Sequence, residues 1–201
     1  MRAYRLFDAD RAAEIVAAIR DEEWEDGRSS ANKISRAKRN LELRSSPYLA
    51  EIESAIRSSP IMAREFITRI VPPKFNRYFD DGHYDTHADA ALMGDQVRTD
   101  LACTVFLTED YEGGDITIGG VSYRGKPGTC VVYECWRPHS VAPVTRGERI
   151  CAVTWLQSLV PSAEHRDLLN MVHEVTVRCA DQDDFAKLGA VHEKLVKMWM
   201  R

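Results

Sequence analysis

Two separated segments of this chain carry side chains that bind transition metals. His87 and Asp89 lie two positions apart in the first segment, and His139 opens the second. Two imidazoles and one carboxylate form the 2-His-1-carboxylate ligand set of non-haem Fe(II) oxygenases, which leaves positions on the ion open for a chelating acid and dioxygen. Four protein ligands would instead indicate a closed structural site. We therefore predict a catalytic Fe(II) site at His87, Asp89 and His139.

Strand periodicity can bring two of these ligands together. Successive side chains of a β-strand point to opposite faces, so His87 and Asp89 would share one face. Arg149 follows in the second segment, and its guanidinium is always charged and binds carboxylates through a planar fork. It can hold the far end of a dicarboxylate whose other end chelates the metal. We predict that this dicarboxylate is 2-oxoglutarate.

A rival assignment lies within the first segment, because residues 83–85 also read His-x-Asp. His83 and His87 are four positions apart, which on a helix would place both rings on one face and suggest zinc. Gly82 and the alternating residues that follow it do not form an apolar helical stripe. We therefore predict a strand here, with His83 at the rim of the site.

Several blocks of the sequence share their order and spacing with one known family. These blocks are Lys38-Arg39-Asn40, Tyr78 to Asp89, Asp100-Leu101 through Phe106-Leu107, Asp110-Tyr111-Glu112-Gly113-Gly114-Asp115, Val144 to Arg149, and Trp155-Leu156-Gln157-Ser158. From about residue 30 to the C-terminus, the chain resembles the prolyl 4-hydroxylase-like branch of Fe(II)/2-oxoglutarate dioxygenases. Within that branch it resembles the small bacterial PKHD-type hydroxylases.

The resemblance implies roles for the four residues named first. His87, Asp89 and His139 would bind Fe(II) as the catalytic set, and Arg149 would pair with the C5 carboxylate of 2-oxoglutarate. The implied activity is O₂-dependent hydroxylation of an unactivated C–H bond in a small-molecule or amino-acid-like substrate, with release of succinate and CO₂. Two alternatives stay open: a peptidyl or protein hydroxylase of the prolyl 4-hydroxylase type, and a non-catalytic cupin-like metal-binding protein.

Further residues are expected around the same cavity. The resemblance places Tyr78 against the co-substrate, and Trp155, which shares the strand face of Arg149, would wall the cavity. Phe106 stands where some relatives have a co-substrate tyrosine, so it offers a ring without a hydroxyl. Trp136 and Arg137 depart from the hydroxyl-rich run typical of the family, and we predict that they contact substrate at the cavity mouth. The alternative is a packed indole and a solvated arginine on a turn.

Composition is consistent with an ordinary globular protein. With 201 residues and 44% hydrophobic content, we expect one domain spanning residues 1–201. A formal charge of −4 without a concentrated basic stretch argues against nucleic-acid binding. The N-terminus lacks the apolar region of a secretory signal, no segment is long enough to span a bilayer, and five cysteines without a CxxC pattern suggest reduced thiols. We expect a cytoplasmic protein with no membrane partner.

The pattern of elements predicts a mainly β fold with flanking helices. A helical N-terminal support is expected over residues 1–64, with a first helix capped by Asp8 or Asp10 and ending near Gly27, and a second opened by Pro47. Strand-length stretches rich in Val, Ile, Thr and aromatics then alternate with Gly and Pro turns. They lie at residues 101–107, 115–123, 129–133 and 150–156.

Short strands at this spacing suggest a barrel or a sandwich. The resemblance sharpens the prediction to a double-stranded β-helix, the jelly-roll core, at about residues 65–159. C-terminal helices follow at residues 160–201, and the stretch 181–201 carries an apolar stripe. Such a stripe indicates packing, either within the chain or across a homodimer.

Overall fold

The computed structural model of the protein describes residues 1–30, 38–94 and 96–201. The helices are α1 Ala9–Ile19, α2 Pro47–Arg57, α3 Ile61–Arg64, α4 Ala163–Thr176 and α5 Gln182–Trp199, with a 3₁₀ turn at Gly27–Ser30. The strands are β1 Arg2–Arg5, β2 Glu25–Asp26, β3 Lys38–Arg39, β4 Leu41–Leu43, β5 Ile67–Ile70, β6 Lys74–Tyr78, β7 His83–His87, β8 Leu92–Met93, β9 Val97–Arg98, β10 Leu101–Phe106, β11 Tyr111–Gly113, β12 Ile116–Ile118, β13 Val121–Tyr123, β14 Thr129–Glu134, β15 His139–Val141, β16 Val144–Gly147 and β17 Arg149–Ser158. Among these helices, none is both long and apolar enough to cross a membrane.

Two antiparallel sheets form the core. The larger sheet has the strand order β1-β14-β10-β17-β6-β4-β2, with β5 pairing to β17, and the smaller sheet has the order β13-β12-β15-β7-β3. Strands from both sheets line one cavity between them. This arrangement confirms the predicted jelly-roll core with flanking helices. The N-terminal region also contributes strands β1 to β4, which the sequence patterns did not predict.

The N-terminal helices cover the outer face of the larger sheet. Ile15 and Ile19 of α1 and Ile52 of α2 are fully buried in the same apolar cluster as alternate residues of β10 and β17. Each such isoleucine contributes roughly 1.5–3 kcal/mol through burial. Because the helices cover only this face of β10 and β17, a slip of one residue would turn the apolar side chains toward the cavity and the cavity-lining side chains toward the helices. Their register, and so the set of side chains that faces the cavity, is fixed.

The first helix is shorter than predicted. Of the two predicted caps, Asp8 and Asp10, the structure has Asp8, whose side chain accepts a hydrogen bond from the backbone N–H of Arg11 (2.8 Å). The helix ends at Ile19 and not near Gly27. The apolar stripe stops at that residue, and the acidic run 21–23 that follows would interact unfavourably with the C-terminal end of the helix dipole. The second helix begins at Pro47, as predicted.

The predicted strand over residues 115–123 is instead a hairpin of two strands, β12 and β13. Gly119 and Gly120 join them with φ values of +56° and +85°. Two consecutive residues in this left-handed region make the tight turn that matches the twist of paired strands, and glycine adopts it without steric cost. The Gly-Gly pair was therefore a turn signal inside an otherwise strand-like run.

The C-terminal helices pack against each other as a pair. His165 of α4 stacks on Trp199 of α5 with ring centroids 4.0 Å apart. No residue of α5, which lies wholly within the described part of the chain, is fully buried, and Phe185 on its apolar stripe is 50% exposed. The proposed homodimer through this stripe stays a prediction.

A buried ion-pair network joins α4 to the core. Arg166 is 1% exposed and donates to Glu65 (3.0 Å), to Glu134 (3.1 Å) and to the carbonyl oxygens of Val160 (2.9 Å) and Pro161 (2.7 Å). Removal of one member of such a network leaves its partners charged and buried.

We expect Arg166→Met to lower the free energy of unfolding by about 3 kcal/mol, the lower end for a broken buried ion pair, because Glu65 would keep only its pair with Arg2 and Glu134 only its pair with Arg137. Urea denaturation followed by circular dichroism measures the change. Arg64→Met is the matched control, since Arg64 forms an exposed pair with Glu174 at 3.4 Å and its loss should cost less than about 1 kcal/mol. Equal effects of the two substitutions would contradict the importance of the buried network.

Candidate metal and co-substrate site

The two predicted histidine ligands lie on neighbouring strands of the smaller sheet. His87 ends β7 and His139 begins β15, and the two are direct cross-strand partners with ring centroids 4.3 Å apart. Asp89 lies two residues beyond the end of β7, where its backbone N–H donates to the carbonyl oxygen of Cys135 (3.1 Å). One ligand atom from each of His87, Asp89 and His139 lies within 4.8 Å of the others. The structure therefore brings the three predicted ligands together.

Hydrogen bonds orient both imidazoles. The Nδ1–H of His87 donates to the carbonyl oxygen of Asp85 (2.8 Å), and the Nδ1–H of His139 donates to that of Arg137 (2.9 Å). This pattern leaves each Nε2 with a lone pair, which is the form that binds a metal. Burial, the largest influence, lowers the pKa of His87 and favours its neutral form.

The carboxylate of Asp89 faces the two imidazoles without a hydrogen bond to either. The Nε2 atoms of His87 and His139 lie 4.0 and 3.6 Å from its oxygens, beyond hydrogen-bond distance. Its Oδ2 is buried and has no hydrogen-bond partner among residues 1–30, 38–94 and 96–201. A buried carboxylate oxygen is costly unless something pairs with it. Two neutral imidazoles and this oxygen fit Fe(II).

Aromatic rings restrict the movement of both histidines. Tyr84 stacks on His87 with ring centroids 3.7 Å apart, and Tyr133 meets His139 edge-on at 5.0 Å. The side chains of His87 and His139 are only 8% and 6% exposed. The ligands are thus held in place before any metal binds.

A cavity of about 390 Å³ opens beside the triad, a volume within the range of small-molecule sites. Its polar lining comes from both sheets, from Ser30 of the 3₁₀ turn and from Asp89 after β7. These residues are Ser30, Lys38, Lys74, Asn76, Tyr78, Tyr84, His87, Asp89, Thr104, Tyr133, His139, Arg149, Thr154 and Trp155.

Arg149 lies in this cavity as a buried cation. It is 1% exposed, opens β17 opposite Tyr78 of β6, and donates from Nη1 to the sulfur of Cys151 (3.1 Å). Its Nε and Nη2 have no hydrogen-bond partner in the described residues. A guanidinium stays charged at any pH a protein meets, and burial of that charge without a carboxylate costs several kcal/mol. An anionic ligand would supply the missing partner.

Tyr78 and Trp155 line two ends of the cavity, whereas Phe106 borders Arg149 without lining the cavity. The guanidinium carbon of Arg149 is 5.1 Å from the ring centre of Tyr78 and 5.7 Å from that of Phe106, so both rings border the buried cation. Burial raises the pKa of Tyr78 and keeps its phenol protonated. Trp155 lines the cavity six residues further along β17, or about 20 Å at the rise of an extended strand. It therefore walls the far end and not the Arg149 end.

Three other predicted positions lie outside the cavity lining. Trp136 is 68% exposed on the turn between β14 and β15. The guanidinium carbon of Arg137 lies 5.5 Å from the centre of the Trp136 ring, and its Nε lies 3.3 Å from Oε2 of Glu134. The predicted contact of Trp136 and Arg137 with substrate would therefore have to occur at the protein surface, and it stays a prediction. His83 lies on β7, so the helical spacing that suggested a zinc pair with His87 does not occur.

Sequence reasoning missed the polar cavity residues Lys74 and Asn76 of β6 and the buried Glu42 of the neighbouring β4. Lys74 and Asn76 share the face of Tyr78 on this strand and line the same cavity. The two-residue alternation running back from Tyr78 was the available signal. Glu42 on β4, which pairs with Asn76 in register, carried no such signal.

Similar proteins are known at the level of both sequence and fold. The sequence profile described as the 2OG-Fe(II) oxygenase superfamily matches residues 73–157. The chain is 38% identical over 195 residues to a PKHD-type hydroxylase from Sphingopyxis alaskensis, covering 88% of each chain. Its fold is similar to that of a Pseudomonas putida prolyl-4-hydroxylase, with a TM-score of 0.57, 20% identity, and 78% of this chain and 91% of the other covered. A structure of HygX from Streptomyces hygroscopicus with nickel and 2-oxoglutarate bound also has a TM-score of 0.57, with 10% identity and coverage of 78% and 82%.

The geometry of the triad predicts a metal site that depends on each ligand. We expect one Fe(II) per chain in an anaerobic calorimetric titration. His139→Ala should weaken binding by more than about a hundredfold, because loss even of a residue that only orients a ligand costs 10–100-fold. His83→Ala is the matched control on the same sheet and should leave the affinity unchanged. Weaker binding in the His83 variant, or intact binding in the His139 variant, would contradict the assignment.

Proposed function

We propose residue roles and a substrate class for this chain, which belongs to the PKHD-type hydroxylases of the 2OG-Fe(II) oxygenase superfamily. It is an Fe(II)- and 2-oxoglutarate-dependent dioxygenase. In the proposal, it hydroxylates an unactivated C–H bond of a small-molecule or amino-acid-like substrate. His87, Asp89 and His139 hold the iron, and Arg149 holds the C5 carboxylate of 2-oxoglutarate.

The unpaired burial of Arg149 is the observation that carries the proposal. Arg149 lines the cavity, its Nε and Nη2 have no acceptor among the described residues, and a carboxylate accepts two parallel hydrogen bonds from such a fork. The rings of Tyr78 and Phe106 border the guanidinium and exclude water from it. An anion bound here is therefore poorly screened and strongly oriented.

The ligand residues would each perform a defined task. His87 and His139 offer Nε2 lone pairs because their Nδ1–H groups are engaged with backbone carbonyls, and Asp89 offers a buried oxygen. When bound, the iron supplies dioxygen activation coupled to oxidation of 2-oxoglutarate to succinate and CO₂. The protein's own contribution is to hold these largely buried groups along one cavity, so that the C–H bond to be oxidised lies beside the metal.

Cavity size supports a small substrate. A volume of about 390 Å³ must hold the co-substrate as well as the reacting part of the substrate. Hydroxylation of a residue within a peptide is the second candidate, and the exposed Trp136 on the turn before His139 favours it as a surface on which a peptide could dock. In either case the reacting group has to enter the cavity between the two sheets.

Arg149→Met should weaken 2-oxoglutarate binding by about tenfold to a hundredfold or more, because each charge-assisted hydrogen bond contributes about 1.5–3 kcal/mol. The ligand-free variant should be no less stable than the original protein, since it loses a buried charge that lacks a carboxylate partner in the described chain. Calorimetric titration with 2-oxoglutarate and thermal unfolding measure the two effects.

The control for this variant is Arg146→Met, because Arg146 is an exposed arginine of β16 that pairs with Glu112 at 2.7 Å. It should change neither quantity appreciably. The proposed role of Arg149 fails if its replacement leaves 2-oxoglutarate binding intact, or if it destabilises the ligand-free protein as strongly as loss of the buried Arg166 network.

A further inference from the structure

A cluster of cationic side chains around Glu42 also lines the cavity, and none of them has a role in the proposed binding of iron or 2-oxoglutarate. Lys38 and Lys74 both donate to the same carboxylate oxygen of Glu42, at 2.5 and 2.7 Å, and Arg44 donates to the other oxygen at 2.8 Å. Glu42 is fully buried, and its two lysine partners line the cavity. Three cations thus share one carboxylate.

The charges of this cluster do not cancel. Although burial opposes ionisation, Lys74 and Lys38 lower the pKa of Glu42 to about 2, so it carries a full negative charge. Burial, followed by repulsion from Lys74, lowers the pKa of Lys38 to about 8, which leaves it mostly protonated at neutral pH. The cluster therefore presents excess positive charge to the cavity.

An unused hydrogen-bond donor lies beside these lysines. The indole Nε1 of Trp155 is buried and has no hydrogen-bond partner within the described residues. The Nζ of Lys74 lies 5.6 Å from the centre of the Trp155 ring, and the Nζ of Lys38 lies 5.0 Å from that of Tyr84. An indole N–H can only donate, so this wall of the cavity offers cations and a donor to an acceptor that the described chain does not supply.

The cluster is separate from the Arg149 end of the cavity. In the sheet register Lys74 is opposite Val153, whereas Tyr78 is opposite Arg149. Four residues of extended strand separate these two rows, or about 13 Å. Asn76, which lies between them, accepts a hydrogen bond from Asn40 at 2.7 Å. A co-substrate held by Arg149 would leave the part of the cavity beside Lys38 and Lys74 free to bind another molecule.

We propose that Lys38, Lys74 and the Nε1–H of Trp155 form an anion subsite that binds the acidic head group of the substrate. The substrate is then a small free acid, with a carboxylate or a phosphate monoester as its anionic group, and not an uncharged residue within a peptide. This inference rests on the proposed function, because it takes the cavity as the place where substrate reacts.

Binding of matched probes tests the subsite. The protein is loaded with Ni(II) and saturating 2-oxoglutarate and titrated, with saturation-transfer NMR as the readout. The probes are free L-amino acids and straight-chain acids, the primary amide of each, and phosphate monoesters of similar length. At least one acid should bind at least about tenfold more tightly than its amide, and comparison with the phosphate esters identifies which anion is preferred. A panel in which no acid or ester binds more tightly than the matched amide overturns the proposal.

Variants then locate the subsite. Lys74→Gln should lower the affinity for the preferred anion about tenfold or more, and Lys74→Arg should restore most of that affinity. Trp155→Phe keeps an aromatic ring in the cavity wall but loses the Nε1–H, and it should lower the affinity severalfold. Lys187→Gln is the control, because Lys187 is an exposed lysine of α5 paired with Asp183. Unchanged anion affinity in both Lys74→Gln and Trp155→Phe would overturn the subsite.

Failure of the subsite can be told from failure of the proposed function. If the unmodified protein does not bind 2-oxoglutarate, the proposed function is wrong and the inference falls with it. If 2-oxoglutarate binds and depends on Arg149 but acids show no advantage over amides, only the anion subsite is refuted.

Discussion

Burial of a guanidinium without a carboxylate costs several kcal/mol, and in this protein that cost falls on Arg149 at the start of β17. The surrounding structure keeps the charge where it is. The aromatic rings of Tyr78 and Phe106 border the guanidinium, and the sulfur of Cys151 accepts a hydrogen bond from its Nη1. A site with this much unmatched charge is unfavourable when empty, and an anionic ligand makes it favourable.

The jelly roll places this charge and the proposed metal ligands in one cavity by fixing the register of two sheets. β10 and β17 are covered outside by α1 and α2, so only one choice of face keeps their apolar residues buried. That choice turns Arg149, Cys151, Val153 and Trp155 inward together. The cross-strand pairing of β7 with β15 brings the two imidazoles together from the opposite sheet. The apolar packing of the outer face thus determines the chemistry of the inner one.

Local sequence patterns were sufficient where a feature depends on neighbours in the chain. A cap at Asp8 or Asp10, the start of α2 at Pro47 and the shared face of Arg149 and Trp155 could all be predicted in this way. Local patterns alone predicted a barrel or a sandwich, and the family resemblance was needed to predict the jelly roll. The turn at Gly119 and Gly120 was missed because the strand-like residues on either side of it favoured the prediction of one continuous strand. The buried Glu42 cluster could not be predicted, because its lysines come from β3 and β6 and meet only when β4 pairs with β6. The prediction placed His87 and Asp89 on one face of a single strand. In the structure β7 ends at His87, and a backbone hydrogen bond to Cys135 positions Asp89 instead.

A crystal structure grown anaerobically with Fe(II) and 2-oxoglutarate would test the central claim most directly. The account predicts one iron bound by His87, Asp89 and His139, with the C5 carboxylate of 2-oxoglutarate paired to the guanidinium of Arg149. Iron bound at other residues, or 2-oxoglutarate bound with Arg149 still lacking a carboxylate partner, would contradict it.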